Sequence, residues 1–194
     1  MSTSNATDKT LGPLQISEVI LHTARYEEMK QWYQRFFGGL KPAVETDARK
    51  QLKSCPLIER LCFLRIHAAF PFTQVLGIFE ISGIRQPSMS TPLSPGLDHM
   101  QFREVCLENL FCRYEKLEVE GIKPFQSFNH GPGTSFYYMD PDGNTVELSA
   151  SNFATEVEYF AFFQTEEYKS NIEGFAIDER TYIAKRRAAI QAVT

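Results

Sequence analysis

A chain of 194 residues with a net charge of −4 has room for one sizeable core or two repeated halves, and presents no basic field to a nucleic acid. No apolar run is long enough to cross a bilayer, and the polar residues 1–14 read as a disordered lead-in without a signal peptide. The four cysteines (Cys55, Cys62, Cys106, Cys112) form no CxxC pair, so free thiols, a cytoplasmic location and a small-molecule partner are expected, with neither nucleic acid nor membrane.

Ile16 to Thr23 alternates and is rich in β-branched residues, which predicts a strand. Tyr26, Met29, Trp32, Tyr33, Phe36 and Phe37 then mark one face of a helix that Gly38-Gly39 ends. Strand-like runs at about 40–46, 58–67 and 74–82 complete a βαβββ unit. After a Pro-, Ser- and Gly-rich loop from Gln86 to Gly96 the order returns. Residues 97–103 read as a strand, and Leu107, Leu110, Phe111, Tyr114 and Leu117 as a helix closed by Gly121. Strands follow at about 122–128, 133–139 and 144–150, the last two joined by the turn Asp140-Pro-Asp-Gly-Asn144. One domain, 15–150, thus holds two modules, about 15–84 and 96–150. Residues 151–194 form a helical extension: Val157, Tyr159, Phe160, Phe163, then Tyr182, Ile183, Ala189, Ile190 and Val193 recur at helical spacing. It packs over a sheet edge or against a second subunit of a homodimer.

Overlaid, Ile16-Ser-Glu18 falls on Leu97-Asp-His99, Tyr33 on Tyr114, Gly39-Leu-Lys-Pro42 on Gly121-Ile-Lys-Pro124, and Ile78-Phe-Glu-Ile-Ser82 on Thr145-Val-Glu-Leu-Ser149. This overlay sets Glu18, Glu80, His99 and Glu147 at four related strand positions, all of residue types that bind metals through oxygen or imidazole nitrogen. Alternation puts Glu18, His99 and Glu147 opposite their apolar neighbours, on the polar face of a sheet. A lone Glu or His on a strand is ordinarily solvated or locally hydrogen-bonded. Three carboxylates converging in a concave site repel one another, and a cation relieves that cost. A metal site and a metal-free polar pocket are both open on the residues alone.

Leu97-Asp-His-Met100, Asn129-His-Gly-Pro-Gly-Thr-Ser-Phe-Tyr-Tyr138, Asp140-Pro-Asp-Gly-Asn-Thr-Val-Glu-Leu148 and the segment from Asn152 onward resemble the vicinal-oxygen-chelate superfamily, which unites glyoxalases, bleomycin-resistance proteins and extradiol dioxygenases. The likeness is to single-domain members similar to biphenyl-diol or catechol 2,3-dioxygenases. It implies an α+β fold whose two βαβββ modules form an open barrel-like cup. It also implies that His99 and Glu147 are metal ligands, that Tyr137 contacts a bound phenolic oxygen, and that His130 is a second-sphere histidine.

Two positions depart from that pattern. The first ligand, usually His, is Glu18, and His22, four residues on, lies about 13 Å further along the strand. The segment Phe70-Pro-Phe-Thr-Gln74 lacks the acid/base histidine of extradiol enzymes, and His67 lies upstream. Ferrous iron suits a dioxygenase. A Glu18, Glu80, His99 and Glu147 set suits Mn2+, Mg2+, Ni2+ or Zn2+ in an isomerase, lyase or cyclase, with Glu18 or Glu80 as base and Tyr137 as donor. The expected function is a metal-dependent enzyme acting on a small phenolic or carbonyl metabolite. Redox-neutral chemistry and non-catalytic small-molecule binding are the alternatives.

Overall fold

The computed structural model describes residues 14–50, 57–69, 73–85 and 96–191. The lead-in up to Pro13, most of the Gln86–Gly96 loop, Cys55, Phe70 to Phe72 and Val193 lie outside them, as does the Ile190 side chain.

The first module runs β1 (Glu18–Thr23), α1 (Tyr26–Phe36), β2 (Val44–Asp47), β3 (Ile58–His67) and β4 (Gln74–Ile81). The second runs β5 (His99–Arg103), α2 (Leu107–Val119), β6 (Gln126–Asn129), β7 (Gly133–Met139) and β8 (Thr145–Ser151). Each module folds its strands in one order, β1-β4-β3-β2 and β5-β8-β7-β6, with the outer pair β1/β4 or β5/β8 parallel and the rest antiparallel. The predicted α+β class and the repeat of two βαβββ modules with open sheets therefore hold. β2 and β6 begin four residues later than the sequence suggests, just past Pro42 and Pro124, because a proline brings no N–H to a ladder.

One core serves both modules. The α1 face Tyr26, Met29, Trp32, Tyr33 and Phe36 is buried. Phe36 stacks on Trp32 at 4.9 Å and meets Tyr138 and Phe102 of the second module edge-on at 5.5 and 6.1 Å. Polar bonds cross the same junction. The Tyr33 hydroxyl donates to Asp140 Oδ2 at 2.8 Å, and Arg113 on α2 donates to the carbonyl of Phe36 at 3.1 Å. Asp140 also accepts from the backbone N–H groups of Asp142 and Asn144, which shapes the β7–β8 turn. Its burial pushes the carboxyl above the usual aspartate range despite those donors.

Beyond β8 come α3 (Glu156–Phe162), α4 (Glu166–Ser170), a two-residue strand β9 (Phe175–Ala176) and α5 (Glu179–Gln191). Thr155 and Glu158 cap α3 reciprocally. β9 adds to the outer edge of β6, giving the second sheet a fifth strand. α5 lies on the second module: Ile183 is buried, the Tyr182 hydroxyl meets Thr134 Oγ1 at 2.8 Å, and Arg187 bridges Glu108 and Glu115 of α2. No helix among the described residues is long and apolar enough to cross a membrane.

Candidate functional site

Strand alternation sorts the second sheet cleanly. Met100, Phe102, Phe136, Tyr138, Val146 and Leu148 join the core under the helices. His99, Gln101, Ser135, Tyr137 and Glu147 therefore share the opposite, concave face. The register sets Gln101 beside Glu147 on one side and Tyr137 beside it on the other.

Glu147 is 3% exposed and fully engaged. Its Oε1 accepts from Gln101 Nε2 and from Ser135 Oγ, each at 2.6 Å. Its Oε2 faces His99 Nε2 at 2.9 Å. The other ring nitrogen of His99, Nδ1, lies 2.6 Å from Asp98 Oδ2. One nitrogen and one carboxylate oxygen thus meet at a point, each tied from behind by a hydrogen bond. Outer partners of this kind orient metal ligands and fix the imidazole tautomer.

Next to this pair opens a cleft of about 420 Å³ lined by Asp98, His99, Phe125, Gln126, Phe128, His130, Tyr137, Thr145 and Glu173. The His130 ring stacks on Phe128 at 5.5 Å, and its Nε2 lies 3.1 Å from the Tyr137 hydroxyl. Burial first, and then the nearby Glu147 charge, push Tyr137 up to about 12, so it is a protonated phenol at neutral pH. His99 meets the Tyr137 ring edge-on at 6.1 Å. The structure therefore brings four of the expected residues together: His99, Glu147, Tyr137 and His130.

Glu18 stands apart from these four. It is exposed at the start of β1 and lines a second cavity of about 310 Å³, between the edges of β1/β4 and β5, which it shares with His99 and Gln101. Among the described residues no group of three or more His, Cys, Asp or Glu side chains is close enough together to hold a metal. The pair His99–Glu147 fits two positions of a coordination sphere, with Glu18 across a shared cavity.

The expectation for Glu80 is corrected. Glu18 pairs in register with Val75 just as His99 pairs with Thr145, so the residue equivalent to Glu147 is Gly77, three before Glu80. An odd shift along a strand reverses the face. Glu80 accordingly shares the side of Leu76 and Ile78, which are buried in the core, and is held by Arg60 at 2.5 and 3.0 Å. A Cβ on Gly77 would collide with Ile20 Cδ1, so an apolar side chain occupies the place of a fourth ligand. His22 lines a separate small cavity with Arg85 and Asn144, and His67 is exposed at the end of β3.

Sequence reasoning passed over Gln101 and Ser135, although alternation from His99 and Tyr137 puts both on the concave face. It also passed over Glu173, whose main-chain oxygen lies 2.6 Å from His130 Nδ1. A backbone carbonyl leaves no signal in residue type.

No family model matches the chain. It is 43% identical over 159 residues to biphenyl-2,3-diol 1,2-dioxygenase 3 of Rhodococcus globerulus, covering 82% of this chain and 75% of that protein. It is 32% identical over 165 residues to biphenyl-2,3-diol 1,2-dioxygenase 2 of the same organism, covering 84% of this chain and 76% of that one. In fold it resembles a glyoxylase/bleomycin resistance protein/dioxygenase domain from Frankia sp. EAN1pec, with a TM-score of 0.54 at 18% identity over 73% of this chain and 100% of that one. With such relatives and this pair of modules, the chain belongs to the vicinal-oxygen-chelate superfamily.

Proposed function

We propose that the protein is a metal-dependent enzyme that opens the ring of a small catechol-like substrate, with His99 and Glu147 holding a divalent metal and Glu18 as a third donor from the first module. The observation that carries this reading is the convergence of His99 Nε2 and Glu147 Oε2 at 2.9 Å, each oriented from behind by Asp98, Gln101 or Ser135. A buried carboxylate whose second oxygen meets an imidazole nitrogen is an arrangement that a cation stabilises. Bound there, a divalent ion supplies Lewis-acid polarisation of a substrate oxygen and, as ferrous iron, electron exchange with dioxygen. The remaining work belongs to the chain. Phe125, Phe128 and the stacked His130 ring line one side of the cleft, and Tyr137 with His130 forms a hydrogen-bonded pair beside His99 to hold a substrate hydroxyl. Support for the substrate class comes from the two dioxygenases named for biphenyl-2,3-diol.

Glu18 favours a second reading. A carboxylate in the cavity shared with His99 hardens the donor set and suits Mn2+, Mg2+, Ni2+ or Zn2+, and it is placed to move a carbon-bound proton in a redox-neutral isomerase or lyase.

Protein loaded anaerobically with iron and given biphenyl-2,3-diol and simpler catechols tests the first reading by oxygen consumption. Uptake is expected, and Glu18→His raises ferrous over manganous preference by about tenfold or more, since imidazole replaces a hard oxygen donor. No uptake by fully metallated protein would remove the oxidative reading. Substrate-dependent exchange of a carbon-bound proton in deuterated water, abolished by Glu18→Gln, would establish the second. Ligand affinity untouched by chelators would leave a binding protein.

A further inference from the structure

The loop that carries His130 has little with which to hold itself. It joins β6 to β7 through His130, Gly131 and Pro132, where Gly131 sits at φ +91° and Pro132 has no N–H to donate. Its anchor is Asn152, just past the end of β8. The Asn152 main-chain N–H donates to Pro132 O at 3.0 Å, and its side-chain Nδ2 donates to Gly131 O and to Asn129 Oδ1, each at 2.8 Å. Asn129 Oδ1 also accepts the Gly131 N–H at 3.0 Å.

The direction of the bonds behind this anchor is forced. A carbonyl oxygen only accepts, so the Asn152 amide nitrogen must face Gly131 O and its oxygen must face Thr134. That oxygen takes the Thr134 hydroxyl proton at 2.7 Å. Thr134 is fully buried and has one proton to give, so the Tyr182 hydroxyl, 2.8 Å away, donates to it. Thr134 lies on the same side of β7 as Phe136 and Tyr138, the side that packs under the helices. A line of donors thus runs from α5 on that side, past the end of β7, to the loop whose His130 lines the cleft. Its base is firm, because α5 is seated independently through buried Ile183, the Ser127–Glu179 bond at 2.6 Å and the Arg187 bridge to α2.

We propose that Asn152 is a positioning residue that holds His130 in the wall of the cleft, and that the C-terminal helix α5 belongs to the site through Tyr182 and Thr134. This rests on the cleft beside His99 being the binding site. None of the three residues lines that cleft, so each acts through the loop and leaves the His99–Glu147 pair as it is.

The test uses the full chain labelled with 15N, with amide exchange of Gly131 as the readout that needs no ligand. Asn152→Ala, and Thr134→Val, which keeps the shape of threonine without its hydroxyl, are expected to speed that exchange by about tenfold. Thr134→Ser keeps the donor and restores the wild-type rate. Tyr182→Phe shifts the rate in the same direction by about threefold, since Thr134 still donates without it. Exchange in β3 and β4 stays unchanged in all four. Calorimetric binding of biphenyl-2,3-diol to anaerobic, iron-loaded protein weakens by about tenfold in Asn152→Ala and Thr134→Val at unchanged metal content, and recovers in Thr134→Ser. Wild-type exchange of Gly131 in Thr134→Val overturns the donor line. Faster exchange with unchanged binding overturns the link from loop to site, and faster exchange in β3 and β4 as well reduces the line to a staple of the fold. If the wild type does not bind the diol, the substrate class proposed above falls, and the clamp stands or falls on Gly131 exchange and its rescue by Thr134→Ser.

Discussion

Phe36→Ala is expected to destabilise the protein by about 3–5 kcal/mol and to lower its Tm by roughly 6–20 °C. The ring is fully buried at the junction of the two modules, between Trp32 and Phe37 of its own module and Phe102 and Tyr138 of the other. Neither sheet can close over the vacated space, because α1 is also tied to the β7–β8 turn through Tyr33 and Asp140 and to α2 through Arg113. A cavity results, and the lost aromatic contacts add to the lost burial. Denaturant unfolding and calorimetry of the full chain measure the effect. A cost below about 1 kcal/mol would mean that the modules do not share a core.

His99→Ala or Glu147→Ala is expected to weaken divalent-metal binding by at least about 100-fold, more than the 10–100-fold typical of losing an orienting partner. The two side chains are the atoms that converge, whereas Ser135 and Gln101 act through Glu147. Ser135→Ala should therefore fall inside the orienting range, and Glu80→Ala should leave affinity unchanged, because Glu80 points to the helix side and is occupied by Arg60. Competition against a fluorescent chelator ranks the four variants. Equal losses in Glu80→Ala and His99→Ala would contradict the register that separates the two faces.

The repeat was legible because several local signals agreed at one spacing. Tyr33 and Tyr114 mark equivalent helix faces, Gly39 and Gly121 equivalent helix ends, and both helices bury the faces that their periodicity predicts. His99, Glu147, Tyr137 and His130 could be placed together because β5 to β8 alternate without a slip in register. Glu80 failed for a physical reason. Its surrounding residues, Ile78-Phe-Glu-Ile-Ser82, resemble Thr145-Val-Glu-Leu-Ser149 in polarity, and a three-residue offset preserves that likeness while reversing the side from which the carboxylate projects. Gly77, the true counterpart of Glu147, carries no side chain to attract attention. The Glu173 carbonyl was illegible for a deeper reason: its contact with His130 depends on how β9 meets β6, a pairing of two residues on each strand that no periodicity announces.

Native mass spectrometry of the untagged full chain, reloaded in turn with iron, manganese and zinc, reads the His99–Glu147 metal site itself. About one tightly held ion per chain is expected, absent from His99→Ala and weakened in Glu18→Ala. An ion retained at full stoichiometry in His99→Ala, or no binding of any of the three metals by the wild type, would contradict it.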